Sequence, residues 1–252
     1  MTADWAPLRA ALARLRSDGI ALPVWWRDDD AISATPTLDR LMAASAQARI
    51  PVHLAIIPAH VDDTLVDRLD PDILIPVVHG WAHQDHSGGV GKKNEFLTPR
   101  SDAQADASRA IDRMRDIFGA DLRAMFVPPW NRIGAEVVEA LAAQGYTALS
   151  TFGPRIDVQA APGLAQINTH IDPIWWKGSR DLVDPEQLIA QACQHLDARR
   201  TGAEDSTEPF GLLTHHLVHT EAIWTFSAAF LHELLDGGAA PWTMESETHE
   251  QT

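Results

Sequence analysis

Arg27-Asp28-Asp29-Asp30 sets three carboxylates side by side directly after the apolar run Ile20 to Trp26. Adjacent carboxylates repel one another unless a cation or a shared proton lies among them, and a bound metal would relieve that repulsion. Seen alone, Asp-Asp-Asp is more often a solvated acidic turn that caps the next helix. A second cluster is His79-Gly80-Trp81-Ala82-His83, followed by Asp85 and His86. Its two histidines stand four apart, a spacing that would place them on one helical face where they could grip one ion. A single such pair is about as often ordinary surface histidine. Two histidines plus one carboxylate leave coordination positions open, which is catalytic rather than structural stoichiometry, because an open position on a Lewis-acidic ion turns water into a nucleophile.

Two further clusters follow. Phe126-Val127-Pro128-Pro129-Trp130-Asn131 reads as a stiff loop at a strand end, since two prolines fix φ and remove two amide donors. Trp130 could stack on the apolar face of a sugar ring or equally plug a gap in the core. Gly211-Leu212-Leu213-Thr214-His215-His216 is a short apolar strand that delivers His215 at its end, placed to act as a general acid, with His219 expected to face solvent. Nucleotide binding is excluded, because Gly88-Gly89-Val90-Gly91-Lys92-Lys93 has neither the Walker spacing nor a Ser or Thr after the lysine. No G-x-S-x-G elbow is present. The long loop Asp85 to Pro99, with its glycines and two lysines, reads as a lid, a binding rim or a plain mobile loop.

Alternating elements must position these clusters. Helices are expected over Trp5 to Ser17, from Thr35 as cap with Pro36 at the first turn, near Asp62 to Leu69, and over Ser101 to Phe118. Further helices are expected over Ala135 to Gln144 with Gly145 as C-cap, Pro185 to Arg199, and Glu221 to Leu235. Strands are expected at Ile20 to Trp26, Val52 to Ile57, Ile73 to Val78, Leu122 to Val127, Tyr146 to Ser150, Leu164 to Asn168 and Phe210 to Thr214. Such alternation implies parallel strands with crossover helices, and six or seven units favour a barrel over an open sheet. All four clusters then fall at the C-terminal ends of strands, where α/β folds place their sites. With no linker and no internal repeat, residues 1–252 read as a single domain with its core over about 20–236. The acidic, Gly-containing stretch 237–252 reads as a frayed tail on which Pro241 and Trp242 could still dock.

Composition narrows the partners. A formal charge of −15 and a pI near 5.1 oppose a nucleic-acid partner, whose binding runs on Lys and Arg displacing counterions, and oppose an anionic membrane surface. No run reaches the roughly eighteen apolar residues of a spanning helix. The lone Cys193 cannot form an internal disulfide, and the first residues lack a signal-peptide pattern, so a cytoplasmic location is expected. Oligomeric state is not readable.

In this order the four clusters resemble the polysaccharide deacetylase family, also called the NodB homology or carbohydrate esterase family 4 domain, over roughly Val24 to Leu235. That family opens with an Asp-Asp pair after a strand, continues with H-x-x-x-H, a Pro-rich aromatic loop and an Asp-Trp segment, and closes with Leu-x-His. The resemblance implies a distorted (β/α) barrel of about seven parallel strands. It makes the first Asp of the pair the catalytic base and the second a metal ligand with His79 and His83. Either Asp28 and Asp29 or Asp29 and Asp30 could match. The family's loop arginine is replaced here by Val127, and Arg27 stands as its substitute from the strand. Residues two apart share a strand face, which puts Arg27 beside Asp29 and favours Asp29 as base with Asp30 as ligand. Asp172 and Trp175 match the Asp-Trp segment, whose Asp orients the closing His215. Arg27, Pro129, Trp130, Asp172 and Trp175 are thus the expected orienting or substrate-binding residues.

The implied activity is metal-dependent removal of an acyl group, acetyl in the first instance, from an N-acylated sugar or related amide, with one divalent ion, Zn²⁺, as cofactor and a small molecule or saccharide as partner. Two alternatives stand beside it: hydrolysis of small or cyclic C–N bonds, and a carbohydrate-binding module that keeps the fold without turnover.

Overall fold

The computed structural model describes residues 3–245. Helix α1 (Ala6–Ser17) is followed by β1 (Pro23–Ala31), α2 (Pro36–Ala48), β2 (Val52–Ile56), α3 (Asp63–Arg68) and β3 (Leu74–His79). After a long loop come α4 (Ala103–Phe118), β4 (Met125–Val127), α5 (Ala135–Leu141) and β5 (Ala148–Leu149). The chain then adds β6 (Gln159–Ala161), β7 (Leu164–Gln166), α6 (Pro185–Thr201), β8 (Phe210–Thr214), α7 (Glu221–Asp236) and β9 (Ala240–Pro241). The sheet order is β6-β7-β5-β4-β3-β2-β1-β8, with β9 on β1, and every pairing is parallel except β6 with β7. Two isolated parallel bridges, Phe152 with Thr169 and Ile171 with Leu212, span the two sides of the sheet by way of the segment after β7. The expected α/β architecture with a mostly parallel sheet is therefore present. Strands β6 and β9 are additional, because each is too short to show a hydrophobic period.

Alternation along the strands sorts side chains onto two faces. Val24, Trp26, Leu54, Ile56, Val78 and Phe126 join the large core formed with the helices, whereas Trp25, Ala55, Val77, Met125, Val127, Ala148 and Ile167 make a separate inner cluster. Register extends the inner face upward. Arg27 pairs with His53, Ala55 with Val77, and His79 with Val127, so Arg27, His53 and His79 share the inner face.

The chain after α7 closes the lower end of this inner face rather than fraying up to Glu245. Trp242 packs edge-on to Trp25 and stacks on His53, and the Met244 amide donates to His53 Nε2 at 3.1 Å. The remainder of the expected tail, 246–252, lies outside the described residues.

Burial pulls the His53 imidazole down to about 3. Its folded-state value lies below its unfolded value, so the unfolded chain takes up the extra proton, and stability is full above the unfolded value near 6.5 and is lost as pH falls below it. Thermal melts between pH 7 and pH 4 are expected to show a slope shallower by about 1.4 kcal/mol per pH unit in His53→Gln than in the natural chain. Equal slopes would refute the neutral, buried state of this ring.

Among the described residues no helix is long and apolar enough to cross a membrane.

Candidate active site

Strand β1 runs five residues beyond Trp26, so the aspartates sit inside the strand and not in a turn after it. A strand can carry these charges only because each finds partners. Arg27, with no exposed surface, donates Nε to Asp29 Oδ1 at 2.8 Å and Nη2 to Asp29 Oδ2 at 3.0 Å. Its remaining N–H groups reach Ser150 Oγ, the Thr151 carbonyl and Asn131 Oδ1. A buried guanidinium so fully bonded holds the Asp29 carboxylate in one plane, at the mouth of the inner face.

Asp30 breaks the alternation. The β1–β2 register shifts between Asp28 and Ala31, and Asp30 has φ 76, a left-handed conformation costly for a non-glycine residue. This irregularity lets two consecutive aspartates serve one site. Asp30 Oδ1 lies 3.0 Å from His79 Nε2 and 3.2 Å from His83 Nε2, and the three donor atoms fall within 4.8 Å of one another. His79 Nδ1 is 3.0 Å from the Val127 carbonyl, a bond that requires the proton on Nδ1. In the neutral ring Nε2 therefore turns a lone pair toward the carboxylate. A proton on His79, favoured against its burial by the charges of Asp29 and Asp30, or a bound cation would satisfy these converging atoms, and the set of two imidazoles and one carboxylate suits a divalent ion of the zinc type. Burial lowers the His83 imidazole, which keeps it in the neutral form that a metal needs.

The two histidines do not share a helix. His79 ends β3, and His83 has φ 53 in an irregular loop, so both approach Asp30 by backbone curvature. The loop is shaped by Glu95, fully buried, whose carboxylate accepts the amides of Trp81, Ala82 and His83 at 3.2, 2.8 and 3.2 Å. Gly80 is required at its start. It has φ +57, and a Cβ there would lie 2.4 Å from Glu95 Oε2 and 2.5 Å from Pro129. Pro129 is thus the buried wall behind this turn. Trp130 and Asn131 both have positive φ. The Trp130 ring sits 4.2 Å from that of His83, and Asn131 bonds Arg27.

Asp28 faces the other way and joins none of this. Its carboxylate, fully buried, accepts from His216 Nδ1 at 2.5 Å, the His216 amide at 3.0 Å and Thr214 Oγ1 at 2.6 Å. Burial opposes ionisation of Asp28, and the charge and hydrogen bond of His216 outweigh it, holding the carboxyl below its ordinary value. His216 is raised in turn, because Asp28 outweighs its burial. The pair clamps the turn after β8 from behind, and His219 helps from the side by accepting the His215 amide at 3.3 Å, where solvent exposure had been expected.

His215 stands half-buried between these anchors, with its Nδ1 buried and lacking a hydrogen-bond partner among the described residues. Among the described residues Asp172 makes no hydrogen bond to His215: its side chain accepts from the Ile174 amide at 2.9 Å and from Trp176 Nε1 at 2.7 Å. Burial raises the Asp172 carboxyl. Both tryptophans are exposed, and Trp176, not Trp175, carries the contact: its ring lies edge-on to His215 at 4.7 Å, while Trp175 folds over Gly178. Sequence reading missed Glu95, the Asp28–His216 pair and Trp176. Only Trp176 had a local signal, as the second tryptophan four residues after Asp172.

No family model matches the sequence, and no curated protein matches it. Solved structures do match in fold. A family 4 carbohydrate esterase from Streptococcus mutans superposes with a TM-score of 0.58 at 13% identity, over 92% of this chain and 90% of that one. A polysaccharide deacetylase from Bacillus cereus gives 0.56 at 14% identity, over 90% and 94%. A family 4 acetyl xylan esterase from Clostridium thermocellum, solved with a cobalt ion, gives 0.50 at 13% identity, over 87% of each chain.

Proposed function

We propose that this chain, which has the fold of the family 4 carbohydrate esterases, is a metal-dependent hydrolase that removes an acyl group, acetyl in the simplest case, from an N-acylated sugar. The observation that carries this reading is the convergence of Asp30, His79 and His83 beside a separate, arginine-held carboxylate. The cobalt ion in one structural neighbour is in keeping with it.

Asp30, His79 and His83 would hold the ion, and the donor set favours Zn²⁺. Bound there, a divalent ion supplies Lewis acidity that favours ionisation of water and polarises a carbonyl. Asp29 is the general base. Its carboxylate accepts the proton of the attacking water while Arg27 keeps it oriented and prevents it from turning toward the ligand cluster. The water oxygen bonds to the carbonyl carbon, and the C–N bond of the resulting tetrahedral species breaks as His215 gives a proton to the departing nitrogen. The products are a free amine and the carboxylate of the acyl group. Trp130 packs against His83 and Trp176 against His215, which puts an aromatic ring beside each of these histidines. The single, half-buried Cys193 supports a reducing, cytoplasmic setting.

The test is acetate release from N-acetylglucosamine oligomers by the zinc-loaded chain, with metal content measured on the same sample. About one equivalent of metal is expected, with turnover that is lost on chelation and restored by zinc. Metal bound without release of acid from any acylated amine would overturn the hydrolase reading and favour a binding module.

A further inference from the structure

The charged groups around the mouth follow a pattern that the chemistry above does not use. Lys92, Lys93 and Lys177 are the only lysines of the chain, and all three are exposed on loops leaving the C-terminal ends of parallel strands. Many cations elsewhere are committed, as Arg9 is to Glu233, Arg40 to Glu221 and Arg200 to Asp18, although Arg49 at the end of α2 is exposed and unpaired among the described residues. Arg180, on the loop that carries Lys177, is exposed and makes no ion pair or side-chain hydrogen bond among the described residues.

Backbone conformation singles out the same arginine. Among the described residues six non-glycine residues have positive φ, and Arg49 is simply the C-cap of α2. The other five are Asp30, His83, Trp130, Asn131 and Arg180. Such conformations persist only where surroundings hold them, and they collect at functional sites. Four of these five belong to the ligand and Arg27 clusters already described. Arg180 remains, held by its amide bond to the Trp175 carbonyl in a turn that the Trp175 amide closes on Asp181.

Carboxylates on these loops are by contrast occupied by the chain itself. Asp85 accepts the amides of Ser87 and Asn94, Glu95 accepts three amides, and Asp184 caps α6. Lys93 stands near Asp85 without bonding to it. Its carbonyl is gripped by Arg132, two residues from Trp130, which ties the lysine-bearing loop to the wall beside His83. A chain of net charge −15 repels anions at long range, yet this rim leaves its cations free.

We propose that the substrate is an anionic acylated saccharide, bearing carboxylate or phosphate groups that meet Lys177 and Arg180 on one side of the mouth and Lys92 and Lys93 on the other. The proposal rests on the hydrolase reading and specifies its substrate class. The test compares three compounds on the zinc-loaded full chain: an N-acetylglucosamine oligomer, the same oligomer oxidised to carboxylates at C6, and the same oligomer phosphorylated there. Hydrolysis and calorimetric binding are both measured, at low and at near-physiological ionic strength.

An anionic compound is expected to exceed the neutral one about tenfold in kcat/KM at low salt, the product of a few exposed ion pairs each worth a few-fold. Added salt is expected to erase much of that preference. Lys177→Glu/Arg180→Glu is expected to lower the anionic-to-neutral ratio about tenfold, and Lys92→Glu/Lys93→Glu to lower it in the same direction. Whichever of the carboxylate and the phosphate shows the larger ratio identifies the group. Equal handling of all three compounds, with ratios unmoved in both double variants, would overturn the inference and leave the hydrolase standing. Selective binding of an anionic oligomer with no hydrolysis of any compound would overturn the hydrolase and leave anion recognition in place.

Discussion

His79→Ala is expected to leave a folded chain that neither retains the ion nor releases acetate. In the proposed site His79 would supply one of three protein ligands, and it is the one most firmly placed: it ends β3, is buried, and is oriented through Nδ1 by the Val127 carbonyl. Removing it leaves Asp30 and His83, the latter on a loop, and two such ligands do not hold a zinc ion against water. Metal content should fall from about one equivalent to near zero, and turnover should fall with it. Restoring turnover with excess zinc would require about a hundredfold or more in free metal, since second-ligand effects of this order attend the loss of even an outer partner. The fold should survive, because the strand ladder is backbone and the inner cluster of Trp25, Val77 and Val127 is intact. Elemental analysis, circular dichroism and acetate release on one preparation check the three statements together. A variant that keeps a full equivalent of metal would place the ion elsewhere in the chain.

The parallel alternation was legible because helical and strand periods differ, and β8 (Phe210–Thr214) falls on its expected residues. The pairing of Arg27 with Asp29 was legible too, from nothing more than their spacing of two on a strand. Legibility failed where a residue's role depends on a distant partner. The three aspartates look alike in sequence, yet one bonds His216 across the β1–β8 edge, one bonds Arg27 on its own strand, and one reaches β3 through a bulge. Composition ended β1 at Trp26 because polar residues usually end a buried strand, and only tertiary partners for all four polar residues let it continue. The His79–His83 spacing suggested a helix, but the three amides satisfied by Glu95 hold a non-helical loop instead, and a carboxylate twelve residues away carries no local sign of that task.

Asp29→Asn separates catalysis from ion binding, and the charge of Arg27 makes its outcome more than a loss of rate. Asparagine keeps the shape of the side chain but cannot take a proton from water, so turnover should fall by about a hundred- to ten-thousand-fold while the ion stays on Asp30, His79 and His83. The same change removes the counter-charge of a guanidinium with no exposed surface. Breaking a buried pair from one side costs about 3–5 kcal/mol, because the remaining charge is left uncompensated in a poorly polarisable interior. A lowered melting temperature is therefore expected alongside the loss of rate, and the two effects need separate readouts. The double variant Arg27→Gln/Asp29→Asn removes both charges, so it should recover much of the lost stability and none of the turnover. Metal content near one equivalent in both variants, stability regained only in the double and turnover absent from both would assign Asp29 to proton transfer and Arg27 to holding it. Turnover within a few-fold of the natural chain in Asp29→Asn would remove Asp29 as the base.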